Sequence, residues 1–317
     1  MNGPSRPRIG VSACLLGEGV RFDTGHKRSD YVASTLSRFV ELIPVCPEVE
    51  SGMGVPRESM RLFATPTGLG LVGNRTGVDY GDGMAAFAGR RAAELAALQL
   101  DGFVLKKDSP TCGVERVRVY RQGGGQPSRD GRGLFTAALQ ARIPTLPLAE
   151  EGWLNDDGLR ASFLERIFTH HRLRTSLLAA PTPRALLEFH ADHKLLYMAR
   201  SPERYRELGR IAAQAASRPL DTTLALYAAQ AMAALAERST PGKHGNVLQH
   251  ILGYFKGALS AAEKQEFLTL VDEFRAGLHG LVVPLTLLLH YVRRHGAADW
   301  LRRQAYLQPY PRELGAR

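Results

Sequence analysis

A change of rhythm near the middle of the chain limits its fold more than any other feature. Up to about residue 150, short β-like runs alternate with helix-like segments. Strand patterns fall at 8–16, 42–46, 102–105, 116–120 and 145–148, and helical periodicity at 29–40, 82–100 and 133–142. A Gly/Pro-rich stretch at 62–74 reads as a hairpin. After Pro181-Thr182-Pro183 the pattern is helical almost throughout, over 184–200, 202–217, 221–238, 246–259, 260–277 and 284–295, with Ser260 and Glu263 spaced as a capping box. Alternation predicts an α/β, Rossmann-like first domain with a mostly parallel sheet, and the second rhythm predicts an all-α domain. A helix at 159–177 joins them and carries Arg160, Arg166, His170, His171, Arg172 and Arg174.

The 317 residues, 44% hydrophobic and 23% charged, suffice for two globular domains. Net charge is +10, and both halves contribute: Lys+Arg exceed Asp+Glu by 19 to 15 before residue 151 and by 22 to 16 after it. A polyanionic partner and a basic surface kept for solubility both fit that balance. The start, MNGPSRPR, lacks the apolar core of a signal peptide, and the most apolar later run, residues 280–289, is too short to span a bilayer and contains Pro284. The expectation is a cytoplasmic protein without a membrane partner. No GxGxxG or Walker motif is present.

Three cysteines are an odd number for a disulfide framework. Cys14 ends the first predicted strand, Cys46 ends the second, and Cys112 follows the strand that ends at Leu105. Ligands of an open parallel sheet bind outside the carboxyl ends of its strands, so all three are predicted to meet at one place. Separations of 32 and 66 residues (46 − 14 and 112 − 46) match no close-spaced zinc motif, and zinc, an iron-sulfur cluster and three ordinary buried thiols remain open. Glu48 beside Cys46 and Ser109 before Cys112 bring a carboxylate and a hydroxyl to the same sheet edge. Metal-assisted hydrolysis needs such groups, although a helix cap and a Ser-Pro turn would also use them.

The blocks VSACLLG with VRFDTGHKR (11–28), VCPEVESGMGVPRE (45–58) and LKKDSPTCG (105–113) resemble the signature blocks of the thiouracil and thiouridine desulfidase family, the TudS type. FHADHKLLYMARSPERYRELG (189–209), KHGNVLQHILGYFK (243–256) and PLTLLLHYVRRH (284–295) are similar to the YbgA-like domain. The fusion of the two resembles the RudS-type desulfidases, which act on 4-thiouridine in transfer RNA. On that resemblance, residues 1–150 form a desulfidase domain, 151–183 a bridging helix and linker, and 184–317 an RNA-binding helical domain.

The resemblance also implies a site. Cys14, Cys46 and Cys112 stand at the positions of three ligands to a [4Fe-4S] cluster that leaves one iron open, and Glu48 and Ser109 at those of the proton-handling residues. The implied reaction is hydrolytic: 4-thiouridine in tRNA becomes uridine with release of sulfide. Two further readings stand beside it: the same chemistry on a free thiolated nucleotide or thiouracil, and a non-catalytic iron-sulfur RNA-binding protein. The chain departs from the family in reading Ser-Pro-Thr-Cys where Ser-Pro-Ser-Cys is common, and Asp79-Tyr80-Gly81 where Asp-Val-Thr is commoner. His190, His193, His244 and His250 could contact phosphates or be core histidines with satisfied hydrogen bonds, and the core reading is preferred for each.

Overall fold

A computed structural model describes residues 5–66 and 68–315. Thr67, at the tip of the predicted hairpin, and residues 1–4, on which part of the signal-peptide expectation rests, lie outside them. The chain forms two compact units. One runs to His171 and takes in the end of the chain from Pro311; the other is Arg172–Tyr310. The division falls inside the predicted bridging segment. That the last residues belong with the first unit leaves no trace in the periodicity.

In the first unit the α/β expectation holds, divided between two sheets. β1 (Arg8–Ser12) lies between β2 (Glu41–Val45) and β5 (Gly102–Leu105), with β8 (Leu148–Glu150) outside β5, and every pairing is parallel. β5 is buried at all four positions and β1 at four of five, because an inner parallel strand has protein on both faces. That is why β5 reads as an unbroken apolar run and β1 is apolar at its centre, Ile9–Val11. Gly10 is forced by the packing: a Cβ there would come 2.3 Å from the Phe103 ring. Phe103 meets Phe135 edge to face at 5.8 Å, within a core shared by α2 (Gly81–Ala97) and α3 (Leu134–Arg142). Each such fully buried side chain contributes about 2–3 kcal/mol.

The second sheet is mixed, in the order β4 (Gly68–Gly73), β3 (Met60–Thr65), β6 (Val117–Tyr120), β7 (Ser128–Gly131). β3 pairs antiparallel with β4, as the predicted hairpin requires, and parallel with β6. The stretch predicted as a helix over 29–40 is helical but irregular, a wide turn at Tyr31–Thr35 followed by a tight one at Leu36–Arg38.

Three of the six basic side chains noted in the predicted bridging helix turn inward, all of them on α4 (Asp157–Arg172). Arg160 is buried and donates to the Leu154 carbonyl at 2.9 Å and to Asp157 at 2.7 Å. His170 and His171 are buried too, with each Nδ1 on a different oxygen of fully buried Asp101, at 3.1 and 2.9 Å. Asp101 also accepts the Arg8 N–H at 3.0 Å, so it ties α4 to the start of β1. A carboxylate buried without such partners would cost several kcal/mol. These three basic side chains hold the fold and are not available to phosphates.

The second unit is all helical: α5 (Pro183–Arg200), α6 (Pro202–Ala213), α7 (Leu220–Ala236), α8 (Pro241–Leu252), α9 (Ala261–Arg275), α10 (Val282–Arg294) and the short α11 (Asp299–Arg302). Thr182, Ser201 and Thr240 each cap a helix whose first residue is proline, and Ser260 with Glu263 closes the predicted capping box. Among the described residues no helix is long and apolar enough to cross a membrane.

Candidate functional site

In the parallel sheet the chain steps from β1 outward to β2, then crosses back to β5 on the other side of β1. The crevice of such a sheet opens at the carboxyl ends of the two strands flanking that reversal. The cysteines are mounted there. Cys14 sits in a tight turn, Ala13–Leu15, directly after β1, and its carbonyl accepts the Lys27 N–H at 2.9 Å. Cys46 follows β2 as the cap of the four-residue helix α1 (Pro47–Glu50), with its N–H on Glu50 Oε1 at 2.8 Å. Cys112 lies in the loop after β5.

That loop is shaped by several contacts. Asp108 adopts a left-handed φ of 58°, which aspartate tolerates better than most residues. Ser109 Oγ then accepts the N–H groups of Thr111 (3.3 Å) and Cys112 (3.1 Å), and Thr136 Oγ1 donates to the Cys112 carbonyl at 2.7 Å. Gly133, just before α3, is needed because a Cβ there would lie 2.3 Å from the Thr111 carbonyl oxygen. The loop is thus clamped against the start of a helix rather than left to solvent.

The thiols behave as neighbours. Burial pushes Cys14 up to about 11, with the Cys46 sulfur adding to the shift, and Arg21 and Lys106 opposing it. Cys112 is pushed up to about 12 by burial first, then by Glu48, with Cys14 a lesser contributor. Burial also raises Cys46, and Glu48 adds to that. Cys14 is therefore coupled electrostatically to both other sulfurs. All three are free thiols.

Glu48 is the acid beside them. Its Oε1 accepts from Thr111 Oγ1 at 2.9 Å and its Oε2 from Arg57 Nη2. Arg57 is nearly buried and also donates to the carbonyls of Val20 (3.1 Å) and Gly54 (2.9 Å), which gathers three loops around the carboxylate. Thr111 stands between Ser109 and Glu48, its Oγ1 3.0 Å from Ser109 Oγ. The structure thus brings together the five residues singled out in the sequence and adds Arg57 and Thr111. Both lie inside the blocks quoted above, but only the folded loops show what they face. Asp79 lies elsewhere in structural service, accepting the Gly81 N–H at 2.7 Å.

The histidines of the second unit form no comparable group. His193 Nδ1 bonds the Phe189 carbonyl at 2.8 Å and its Nε2 accepts from Arg172 at 3.1 Å; burial, then Arg172, lowers it to about 3. His190 faces the Tyr227 hydroxyl and His244 that of Tyr306, and burial lowers each to about 4. They are core histidines, as the sequence suggested. His250, expected in the core with the others, is instead exposed and packs on Tyr254, because its position near the end of α8 faces away from the helical core.

Comparisons with known proteins follow the same division. Residues 9–151 match the family model of 2-thiouracil desulfurase, and residues 194–311 that of a protein family of unknown function, DUF1722. The protein YbgA of Escherichia coli (strain K12) is 34% identical over 157 residues, which is 49% of this chain and 92% of YbgA. A solved structure described as the [4Fe-4S]-dependent thiouracil desulfidase TudS is 27% identical, covering 48% of this chain and 95% of that one, with a TM-score of 0.39. This chain accordingly belongs to the YbgA family, and it carries ahead of its YbgA-like helical part a domain of the 2-thiouracil desulfurase family.

Proposed function

We propose that the protein is a [4Fe-4S]-dependent desulfidase that converts 4-thiouridine in tRNA to uridine and releases sulfide. One observation carries the reading: the chain's three cysteines stand at the carboxyl ends of the parallel sheet, electrostatically coupled, with Glu48 beside them. Among the described residues no group of three or more His, Cys, Asp or Glu side chains is arranged to hold a single metal ion. Three converging thiols are the soft donor set that a [4Fe-4S] cluster with one iron free of protein ligands would take. Cys14, Cys46 and Cys112 would hold it. When bound, such a cluster supplies a soft Lewis acid for a thiocarbonyl sulfur at the iron that lacks a protein ligand.

The chain's own part is to handle water and protons. The net reaction exchanges a thiocarbonyl and water for a carbonyl and hydrogen sulfide, so no oxidant or reductant is consumed. Glu48 takes the proton from the attacking water and returns one to the departing sulfur. Arg57 and Thr111 fix the direction of its two oxygens, which spares the transition state that ordering cost. Ser109 holds the Cys112 turn through the two N–H groups it accepts. Arg21 and Lys106 lie near enough to act on Cys14, and each is held by an acidic partner, Arg21 by Asp23 at 3.7 Å and Lys106 by Glu151.

The test is to incubate anaerobically reconstituted full-length protein with bulk tRNA and digest the tRNA to nucleosides. The expected outcome is loss of 4-thiouridine, an equal gain of uridine, and sulfide in the same amount. Turnover confined to a free thiolated nucleotide would overturn the tRNA assignment. Absence of turnover on any thiolated pyrimidine, with the cluster intact, would overturn the activity.

A further inference from the structure

Hydrogen positions in the Cys112 loop follow by elimination. Ser109 Oγ accepts two backbone N–H groups, which occupy both of its lone pairs, so its own hydrogen points to the remaining partner, Thr111 Oγ1 at 3.0 Å. Thr111 Oγ1 accepts there, and its single hydrogen has two possible acceptors: Glu48 Oε1 at 2.9 Å and Cys112 Sγ at 3.6 Å. The shorter contact, to a carboxylate oxygen, wins. The resulting line runs Ser109 to Thr111 to Glu48, with each hydroxyl fixed in direction. Its other end is Arg57 on Glu48 Oε2.

We infer that Thr111 is a positioning residue of the site: its hydroxyl aims the Glu48 carboxylate and ties that aim to the loop that carries Cys112. Among the described residues Thr111 and Arg57 are the side-chain partners of Glu48, and Arg57 alone would leave the carboxylate free to turn about the Arg57 contact. Thr111 supplies the second point. Ser109, whose hydrogen is committed to Thr111, acts on Glu48 only through it. The hydroxyl at position 111 is therefore what the site requires, and the threonine methyl is incidental; serine can make the same two bonds, while valine, of nearly the same shape, can make neither.

The inference rests on the desulfidase reading for its consequence but not for its geometry, and the test separates the two. In crystals of the full-length protein without a cluster, Thr111→Val should release the Glu48 carboxylate from its single orientation, and Thr111→Ser should restore it. A Glu48 carboxylate unmoved in Thr111→Val would overturn the inference whatever the activity. In anaerobically reconstituted protein, Thr111→Val should keep the cluster absorption, keep the affinity for a thiolated substrate read from the perturbation of that absorption, and lose kcat by about 10²-fold, the cost of a misaimed group. Thr111→Ser should recover kcat. Equal kcat in wild type and Thr111→Val would also overturn the inference. If wild type itself releases no sulfide, the desulfidase reading fails, and the crystallographic result still decides the role of Thr111.

Discussion

Both units bury groups that titrate, and they bury them in opposite ways. The three thiols of the first unit come from three loops at one sheet edge, and their raised pKa values stem from burial together with their neighbours' negative charge. The histidines of the second unit are as strongly shifted, yet each is paired with its own carbonyl, hydroxyl or guanidinium partner inside the helical core. A perturbed pKa alone therefore marks burial. It marks a site when several such groups converge and a proton acceptor stands beside them.

The sharpest way to break this contrast is to remove one group from each set. Cys112→Ala should abolish both the brown iron-sulfur absorption and turnover, since two thiolates hold a cluster poorly. His193→Ala in the same preparation should leave the absorption intact and lower the melting temperature instead. An intact chromophore and full activity in Cys112→Ala would refute the ligand assignment.

Within the first unit, ligands and acid-base groups separate by what survives. Glu48→Gln keeps the volume and a hydrogen bond to Arg57 or Thr111 but cannot take a proton. Turnover should fall by about 10²–10⁴-fold with the cluster spectrum unchanged. Parallel loss of both would make Glu48 structural. Loading should also depend on pH. Thiols at about 11 and about 12 are protonated at neutral pH and must each lose a proton to bind iron, so affinity rises as pH rises and weakens as it falls. For the apo protein the sign is opposite. Folded pKa values above the unfolded value near 9 mean that stability is complete below pH 9 and declines as pH climbs toward 11–12.

Much of this arrangement was legible in the sequence, and the illegible parts share a cause. β1, β2 and β5 announce themselves as apolar runs, and the position of each cysteine just past a strand placed all three at one edge. Partner choice is another matter. Nothing in Met60–Thr65 or Val117–Tyr120 says that these strands leave the main sheet and form a second one, because a short strand carries no record of its neighbour. Ser128–Gly131 was missed outright, since SRDG has no apolar alternation. The predicted start of α8 at residue 246 falls inside the helix, which begins at Pro241 with Thr240 as its cap and Pro241 as its first-turn proline. Arg57 and Thr111 were invisible as site residues for the same reason as the second sheet: what they do is set by tertiary neighbours.

The second unit offers its own test by acid. His190, His193 and His244 are neutral in the fold and would bind protons near pH 6.5 once unfolded, so the unfolded state binds more protons below that value. Stability is complete above about pH 6.5 and is lost as pH falls toward 4, by roughly 3 kcal/mol for each buried histidine. Urea melts of the apo protein followed by helical circular dichroism should show the midpoint falling between pH 7 and pH 5. His193→Phe should flatten that slope. A midpoint unchanged over this range would mean that the three imidazoles are already reachable by water.

The smallest effect concerns charge rather than burial. A grip on tRNA phosphates by the helical part would fall on exposed cations such as Arg206 and Arg210, which lie four residues apart on α6. Each phosphate contact contributes roughly 0.7–0.9 log units of affinity per log unit of salt. Arg206→Gln and Arg210→Gln should therefore each lower the salt slope by about one and weaken thiolated and unthiolated tRNA equally, because a phosphate contact does not read the base. Cluster content and turnover of a free 4-thiouridine nucleotide should not change. Binding whose salt slope is the same in both variants as in wild type would move the RNA contact off α6, whereas equal damage to tRNA and free-nucleotide turnover would show that these arginines serve the fold, as Arg160 does.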